Sequence, residues 1–129
     1  MKTNPQLDFA RKYIEQTNIN IFLTGKAGTG KTTFLQTAIM SMVTTYTPED
    51  VNIYIMDFGG WSLNMFRSFP HVGGIANDND EIRVEKLTQL IERMLNERKM
   101  KFAEEGVSSV EAYFEATGEK LPYVVLVLD

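Results

Sequence analysis

A chain of 129 residues, 43% hydrophobic and 23% charged, has the balance of one soluble globular domain; this excludes disorder and any dependence on staples. With no cysteine and a single histidine, His71, it excludes disulfides, thiolate metal sites and cysteine nucleophiles, and argues against a histidine metal centre. A formal net charge of −4 argues against a generally basic nucleic-acid surface. One local basic run remains, at Arg93, Arg98, Lys99 and Lys101, and its plainer reading is a solvated helix face.

From the amino terminus, "NPQLDFARKYIEQ" predicts a short helix with Asn4 at the N-cap and Pro5 at the first helical position. Leu7, Ala10, Tyr13 and Ile14 share one face of it. The opening "MKTNPQLDF" has no apolar stretch of the signal-peptide kind. Nor does any apolar run approach the ~20 residues needed to cross a bilayer. The expected location is the cytoplasm, with no direct membrane insertion of this segment.

"INIFLT" reads as a strand. Residues 31–46, "KTTFLQTAIMSMVTTY", follow as a helix with Phe34, Leu35, Ala38, Ile39, Met42 and Val43 at helical spacing. "TPED" then turns the chain into a second strand, "VNIYIMDF". Val51, Ile53 and Ile55 form one strictly apolar face. Asn52, Tyr54 and Met56 make the other mixed enough to lie under a helix as well.

"GGWSLNMFRSFPHVGGIANDND" reads as one long glycine-punctuated loop with a short helical hint at 62–67. Within it Trp61, Met65 and Phe66 are expected to bury against the sheet, and His71 to pack rather than line a pocket. Residues 81–105 predict a long amphipathic helix. Its stripe is Val84, Leu87, Leu90, Ile91, Met94 and Leu95, with Phe102 further on, and Gly106 ends it. "SSVE" at 108–111 reads as a capping box. There Ser108 accepts from the amide three residues on and Glu111 reaches back, opening a short helix that ends near Gly118. "LPYVVLVLD" closes the sequence as a strand buried on both faces. Helix, strand, helix, strand, loop, helix, helix, strand predicts an α/β layered domain on a mainly parallel sheet.

Between the first strand and its helix, Gly25-Lys26-Ala27-Gly28-Thr29-Gly30-Lys31-Thr32 fits GxxxxGK[ST] in full. Glycine there lets the backbone turn tightly and point successive amides inward. Those amides and the positive end of the following helix suit a β-phosphate. Lys31 would reach the β- and γ-phosphates, Thr32 would give its hydroxyl to Mg²⁺, and Thr33 would neighbour the α-phosphate. Lys26 is either a further phosphate contact or simply solvated.

A P-loop also needs a metal-fixing aspartate at the end of an apolar strand, the Walker B position. Asp57 and Asp129 both qualify. The purer and later strand favours Asp129, paired with Lys31 as the catalytic set. Asp57 then falls at the rim of the site, or serves only to cap its own loop.

With these motifs placed, "YIMDFGG", "FPHVGG", "ERMLNERKMKFAEEGVSSVEAYF" and "LPYVVLVLD" together resemble the FtsK/SpoIIIE motor family over residues 30–129. The resemblance is nearest to the ATPase domains of type VII secretion motors (EssC/EccC). It implies a three-layer, RecA-like P-loop NTPase that uses ATP and Mg²⁺. It also implies ring neighbours or a homo-oligomer, a translocated protein or DNA, and a place on the cytoplasmic face of a membrane-tethered complex. Residues 1–129 would then be a single nucleotide-binding domain, the amino-terminal part of a larger motor domain cut after the Walker B strand.

Residues 4–35 look more like the P-loop segment of superfamily-one helicases. In those a glutamine ahead of the loop reads adenine, and Gln6 would match by position; a solvated first-turn glutamine is the alternative. FtsK-like motors commonly follow the Walker B aspartate with a glutamate that polarises water. The sequence stops at Asp129, so turnover is expected to be slow. In the RecA-like order a further strand inserts between the P-loop strand and the Walker B strand. Without it, either a gap opens in the sheet or the two strands pair directly. Two other functions stay open, a non-catalytic nucleotide-binding module and a fragment of a helicase-type nucleic-acid motor.

Overall fold

The structure, a computed structural model, describes residues 21–24 and 31–129, with side chains from residue 33 onward. The helix expected over the first residues lies outside that set. In chain order the elements are β1 (Ile21–Thr24), α1 (Lys31–Thr45), β2 (Val51–Asp57), a 3-10 helix (Asn64–Ser68), β3 (Val72–Asn77), α2 (Glu81–Glu105), α3 (Val110–Thr117) and β4 (Tyr123–Leu128). The strands form one sheet in the order β1-β4-β2-β3, every pairing parallel. β1 pairs directly with β4, Ile21 opposite Val125 and Thr24 opposite Leu128, so no gap separates them.

Strand alternation builds the three layers. Ile53, Ile55, Ile75, Val125 and Val127 point to one side, where they pack with Leu35, Ile39 and Val43 of α1 and with Leu63 and Phe66. Tyr54, Met56, Ala76, Val124, Leu126 and Leu128 point to the other, against Leu87, Ile91 and Leu95 of α2. Both faces of the central strands are therefore dry, which is why β4 reads as a continuous apolar run. At about 25 cal/mol per Å² of apolar surface, each such side chain contributes roughly 1.5–3 kcal/mol.

The helical stripes are narrower than the spacing implied. Phe34 is 60% exposed and Leu90 40%, because each lies at the margin of its apolar arc, beyond the reach of the sheet. Gly106 and Gly118 end their helices in the left-handed conformation, at φ 66° and 76°, where a Cβ would be strained. The cap of α3 is Ser109 rather than Ser108: its side chain accepts from the Ala112 amide at 3.1 Å. The helix starts one residue later than expected, and the serine next to its first turn takes the role.

The main departure is β3, inside what reads as a loop. Gly73 and Gly74 weaken any strand signal, yet the strand needs them. A Cβ on Gly73 would stand 2.5 Å from Cε1 of Tyr54, and one on Gly74 2.9 Å from Cδ1 of Leu87. β3 runs that close to its neighbours where the pairing with β2 slips by one residue, between Ile53 and Tyr54. The Tyr54 ring has little room to yield, since it is buried and its hydroxyl lies 3.5 Å from Met94 Sδ. Gly73→Ala is expected to cost about 1–3 kcal/mol as an overpacked contact. Urea unfolding that gives the wild-type midpoint would refute this.

His71 packs as expected. It is buried, with Nε2 on the Tyr46 carbonyl. Of the loop aromatics and methionine, only Phe66 is buried; Trp61 and Met65 are 46% and 59% exposed. They sit on the outer side of a turn and of the 3-10 helix, whose inner side is filled by Leu63 and Phe66.

The basic run is solvated at Arg93 and Lys99, as expected, but not throughout. Arg98 is buried on the inner side of α2, and Lys101 bonds Glu119 at 3.0 Å. Burial lowers the Arg98 pKa from its ordinary value, the nearby Tyr54 opposing the shift, and Arg98 Nη1 has no hydrogen-bond partner. A buried cation so poorly served is destabilising. Arg98→Met is therefore expected to raise Tm by a few degrees, read by thermal denaturation; a lower Tm would mean the guanidinium is better paired than this.

Candidate functional site

Parallel α/β sheets present ligand sites at the carboxyl ends of their strands, where loops rather than side-chain layers cover the edge. Here that edge holds three polar residues from neighbouring strands: Asp129 after β4, Asp57 at the end of β2 and Asn77 at the end of β3. All three are buried, at 5%, 0% and 4% exposure. By alternation they share the face of Val125 and Val127, Ile53 and Ile55, and Ile75, which is the α1 side.

The two aspartates are used differently. Asp57 Oδ1 accepts from the Gly59 amide and Oδ2 from the Leu63 amide, both at 3.1 Å. Its two oxygens are thereby committed to folding the loop that follows. Asp57 is fully buried, and its hydrogen bonds favour one of the two readings of it. Its role is the loop-capping alternative, because two backbone donors needed an acceptor once Leu63 turned into the core.

Asp129 is fixed through its backbone. Its amide donates to the Met56 carbonyl at 3.0 Å, and its carbonyl accepts from the Phe58 amide at 2.7 Å. The carboxylate lies under the loop after β2. A Cβ on Gly59 would be 3.2 Å from both Cγ and Oδ2 of Asp129, so glycine is what lets the backbone approach this closely. Ser62 Oγ stands 3.4 Å from Asp129 Oδ2. The Ser62 carbonyl in turn accepts from Gln36 Nε2 on α1 at 2.9 Å. Between them Trp61 holds a left-handed φ of 72°, uncommon for a bulky side chain and the mark of a loop held by its surroundings.

Register also fixes how β1 meets this corner. Thr24, the last residue of β1, stands opposite Leu128, the residue before Asp129. Residue 31 begins α1, whose first turn carries no acidic residue to offset its free amides and positive dipole end. The residues bracketed by these two elements are those of the GxxxxGK[ST] motif.

Gly25, Lys26, Ala27, Gly28, Thr29 and Gly30 lie outside the described residues, as does Gln6. Lys31 and Thr32 are placed by their backbone in the first turn of α1. Thr33, next to them, is exposed, and its carbonyl takes the Thr37 hydroxyl at 3.0 Å. Ser62 and Gln36 are the members of this corner that sequence reasoning missed. No motif marks them; the signal was only that "DFGGWS" follows a strand end.

A hard divalent cation fits the donor set. Asp129 supplies a carboxylate at the strand end, and among the described residues no group of three His, Cys, Asp or Glu forms a metal cage. Such a corner would leave most ligand positions to phosphate and water, which is how Mg²⁺ is usually held.

Residues 8–128 match the FtsK/SpoIIIE family. The ESX secretion system protein EccC of Geobacillus thermodenitrificans (strain NG80-2) is 34% identical over 133 residues, which takes in 100% of this chain and 9% of that protein. YukB, an ESX secretion system protein of Bacillus subtilis (strain 168), is 32% identical over 124 residues, 96% of this chain and 8% of that one. Among solved structures, the cytoplasmic domain of EssC superposes with a TM-score of 0.75 at 34% identity, over 87% of this chain and 22% of that one. Thermomonospora curvata EccC (ATPases 2 and 3), in complex with a signal sequence peptide, gives 0.73 at 33%, over 87% and 21%. The chain thus spans under a tenth of the length of these two curated relatives. The family match begins ahead of the P-loop, further toward the amino terminus than the resemblance from residue 30 onward.

Proposed function

Because the chain belongs to the FtsK/SpoIIIE family, we propose that residues 1–129 form one P-loop domain that binds Mg-ATP and hydrolyses it slowly. The observation that carries this reading is the register of β1 on β4. It brings Thr24, the residue before the motif, opposite Leu128, the residue before Asp129, while Asp57 is spent on its own loop, and this supports Asp129 as the metal-fixing residue.

In this reading the amides of residues 25–30 and the start of α1 hold the phosphates, with Lys26, Ala27 and Thr29 contributing through the backbone. Lys31 neutralises the β- and γ-phosphates, and Thr33 adjoins the α-phosphate. Thr32 and Asp129 supply oxygen ligands for Mg²⁺, which offsets charge on the phosphates. Gln6 reads the adenine edge. Transfer to water then depends on positioning and electrostatics rather than on a covalent intermediate.

Like its relatives, the chain would work beside other ATPase domains in a cytoplasmic assembly, with copies or neighbours in a ring. The signal-peptide complex of the Thermomonospora curvata protein makes a secreted protein a better candidate cargo than DNA. The net charge of −4 points the same way.

The test is calorimetric ATP titration with steady-state hydrolysis, on wild type and Lys31→Ala, with and without Mg²⁺. Magnesium-dependent binding that the variant lacks supports the reading. Equal affinity in both proteins overturns it. Binding without any turnover leaves a nucleotide-binding module and removes the hydrolysis.

A further inference from the structure

We propose that Ser62 is a positioning residue for the magnesium-binding carboxylate, coupling Asp129 to the helix that follows the P-loop. This rests on the Mg-ATP reading above and deepens it, since neither the P-loop nor the Walker B pattern contains this serine.

Three elements converge on Ser62. It belongs to the loop after β2, which is pinned at both ends by Asp57 through the Gly59 and Leu63 amides. Its carbonyl is held by Gln36 Nε2 of α1 at 2.9 Å. Its hydroxyl faces Asp129 Oδ2 at 3.4 Å. The backbone on one side is clamped, the side chain is half-buried, and its direction is therefore set by α1 rather than by solvent.

A carboxylate beside a cation must present one oxygen in a defined direction, and groups that hydrogen-bond to a metal ligand supply that direction. Gly59 closes one side of the Asp129 carboxylate by close approach, at 3.2 Å from a would-be Cβ. Ser62 donates to Oδ2 from the loop, which restrains the rotation of the carboxylate. At 3.4 Å the contact is long for a hydroxyl–carboxylate bond. Contacts of this kind shorten when the ligand complex assembles. Gln36 matters because α1 begins with Lys31 and Thr32. A shift of that helix on phosphate binding would pass through Gln36 to Ser62, and so to the metal carboxylate.

The experiment uses the full chain as wild type, Ser62→Ala, Ser62→Thr and Gln36→Ala. A fluorescent ATP analogue is titrated in EDTA and across a Mg²⁺ series, with Tm measured for each protein. Ser62→Ala is expected to raise the half-saturating Mg²⁺ concentration about 10-fold, the usual scale for losing such a contact, while affinity in EDTA moves little. Ser62→Thr keeps the hydroxyl and should restore most of the Mg²⁺ response. Gln36→Ala should shift it in the same direction as Ser62→Ala.

An unchanged Mg²⁺ dependence in a folded Ser62→Ala overturns the proposal. So does an equal loss in EDTA and in Mg²⁺, which would mean a loop-folding role. If Ser62→Ala does not fold, Gln36→Ala decides in the same way. Absence of Mg²⁺-dependent binding in wild type instead overturns the underlying Mg-ATP reading, and this proposal with it.

Discussion

Lys31→Ala is expected to remove ATP binding at accessible concentrations, lowering affinity by at least ~100-fold. A lysine spanning two phosphates makes charge-assisted hydrogen bonds worth about 1.5–3 kcal/mol each. Two of them amount to roughly 3–6 kcal/mol, and every 1.4 kcal/mol is tenfold in Kd. Lys31 is also a safe residue to change. It opens α1, one turn ahead of Leu35, the first core residue of that helix among the described side chains. Tm should therefore stay at the wild-type value, so that lost binding cannot be blamed on lost folding. Calorimetry beside a thermal melt measures both quantities. Unchanged affinity would remove the phosphate-binding role of the 25–33 segment altogether.

The largest structural effect is expected at Asp57. In Asp57→Ala the Leu63 amide loses its acceptor in the core, and the amide of the exposed Gly59 loses its acceptor where water can reach. Each buried donor left unpaired costs about 1–3 kcal/mol. That applies to Leu63; with about 0.5–1.5 kcal/mol for the ordinary hydrogen bond to Gly59, the sum, about 1.5–4.5 kcal/mol, is a large share of the 5–15 kcal/mol that stabilises an ordinary domain. Asp57→Asn keeps one oxygen acceptor and should lose roughly half as much. Urea denaturation of the three proteins ranks them. Equal midpoints would mean that the loop from Phe58 to Leu63 is not held by this carboxylate. Because that loop lies on Asp129, destabilising it should also blunt the Mg²⁺ response.

Most of the fold was legible where the physics is local. The α1 and α2 stripes, the apolar β2 and β4 and the glycine helix stops rest on periodicity and turn chemistry within a few residues. β3 was not legible. Its two glycines speak for a loop in every local sense, and the reason they suit a strand is Tyr54 and Leu87, which arrive from elsewhere in the chain. Arg98 is a different case: it lies among charged neighbours in sequence, yet helical spacing puts it on the same buried side as Leu87, Ile91, Leu95 and Phe102.

The candidate site divides along the same line. By itself the sequence determined the phosphate-binding motif, its place between a strand and a helix, and the two aspartates able to serve it. Each is a matter of residue type and spacing along a continuous backbone. Only the tertiary structure decided that both Asp57 oxygens go to loop amides, that β1 lies directly against β4, and that Ser62 stands beside Asp129 with Gln36 on its carbonyl. Those outcomes depend on which groups the folded backbone brings within about 3 Å, whether from the next few residues or from remote segments, the range over which a hydrogen bond acts. Spacing in the chain carries no record of that distance.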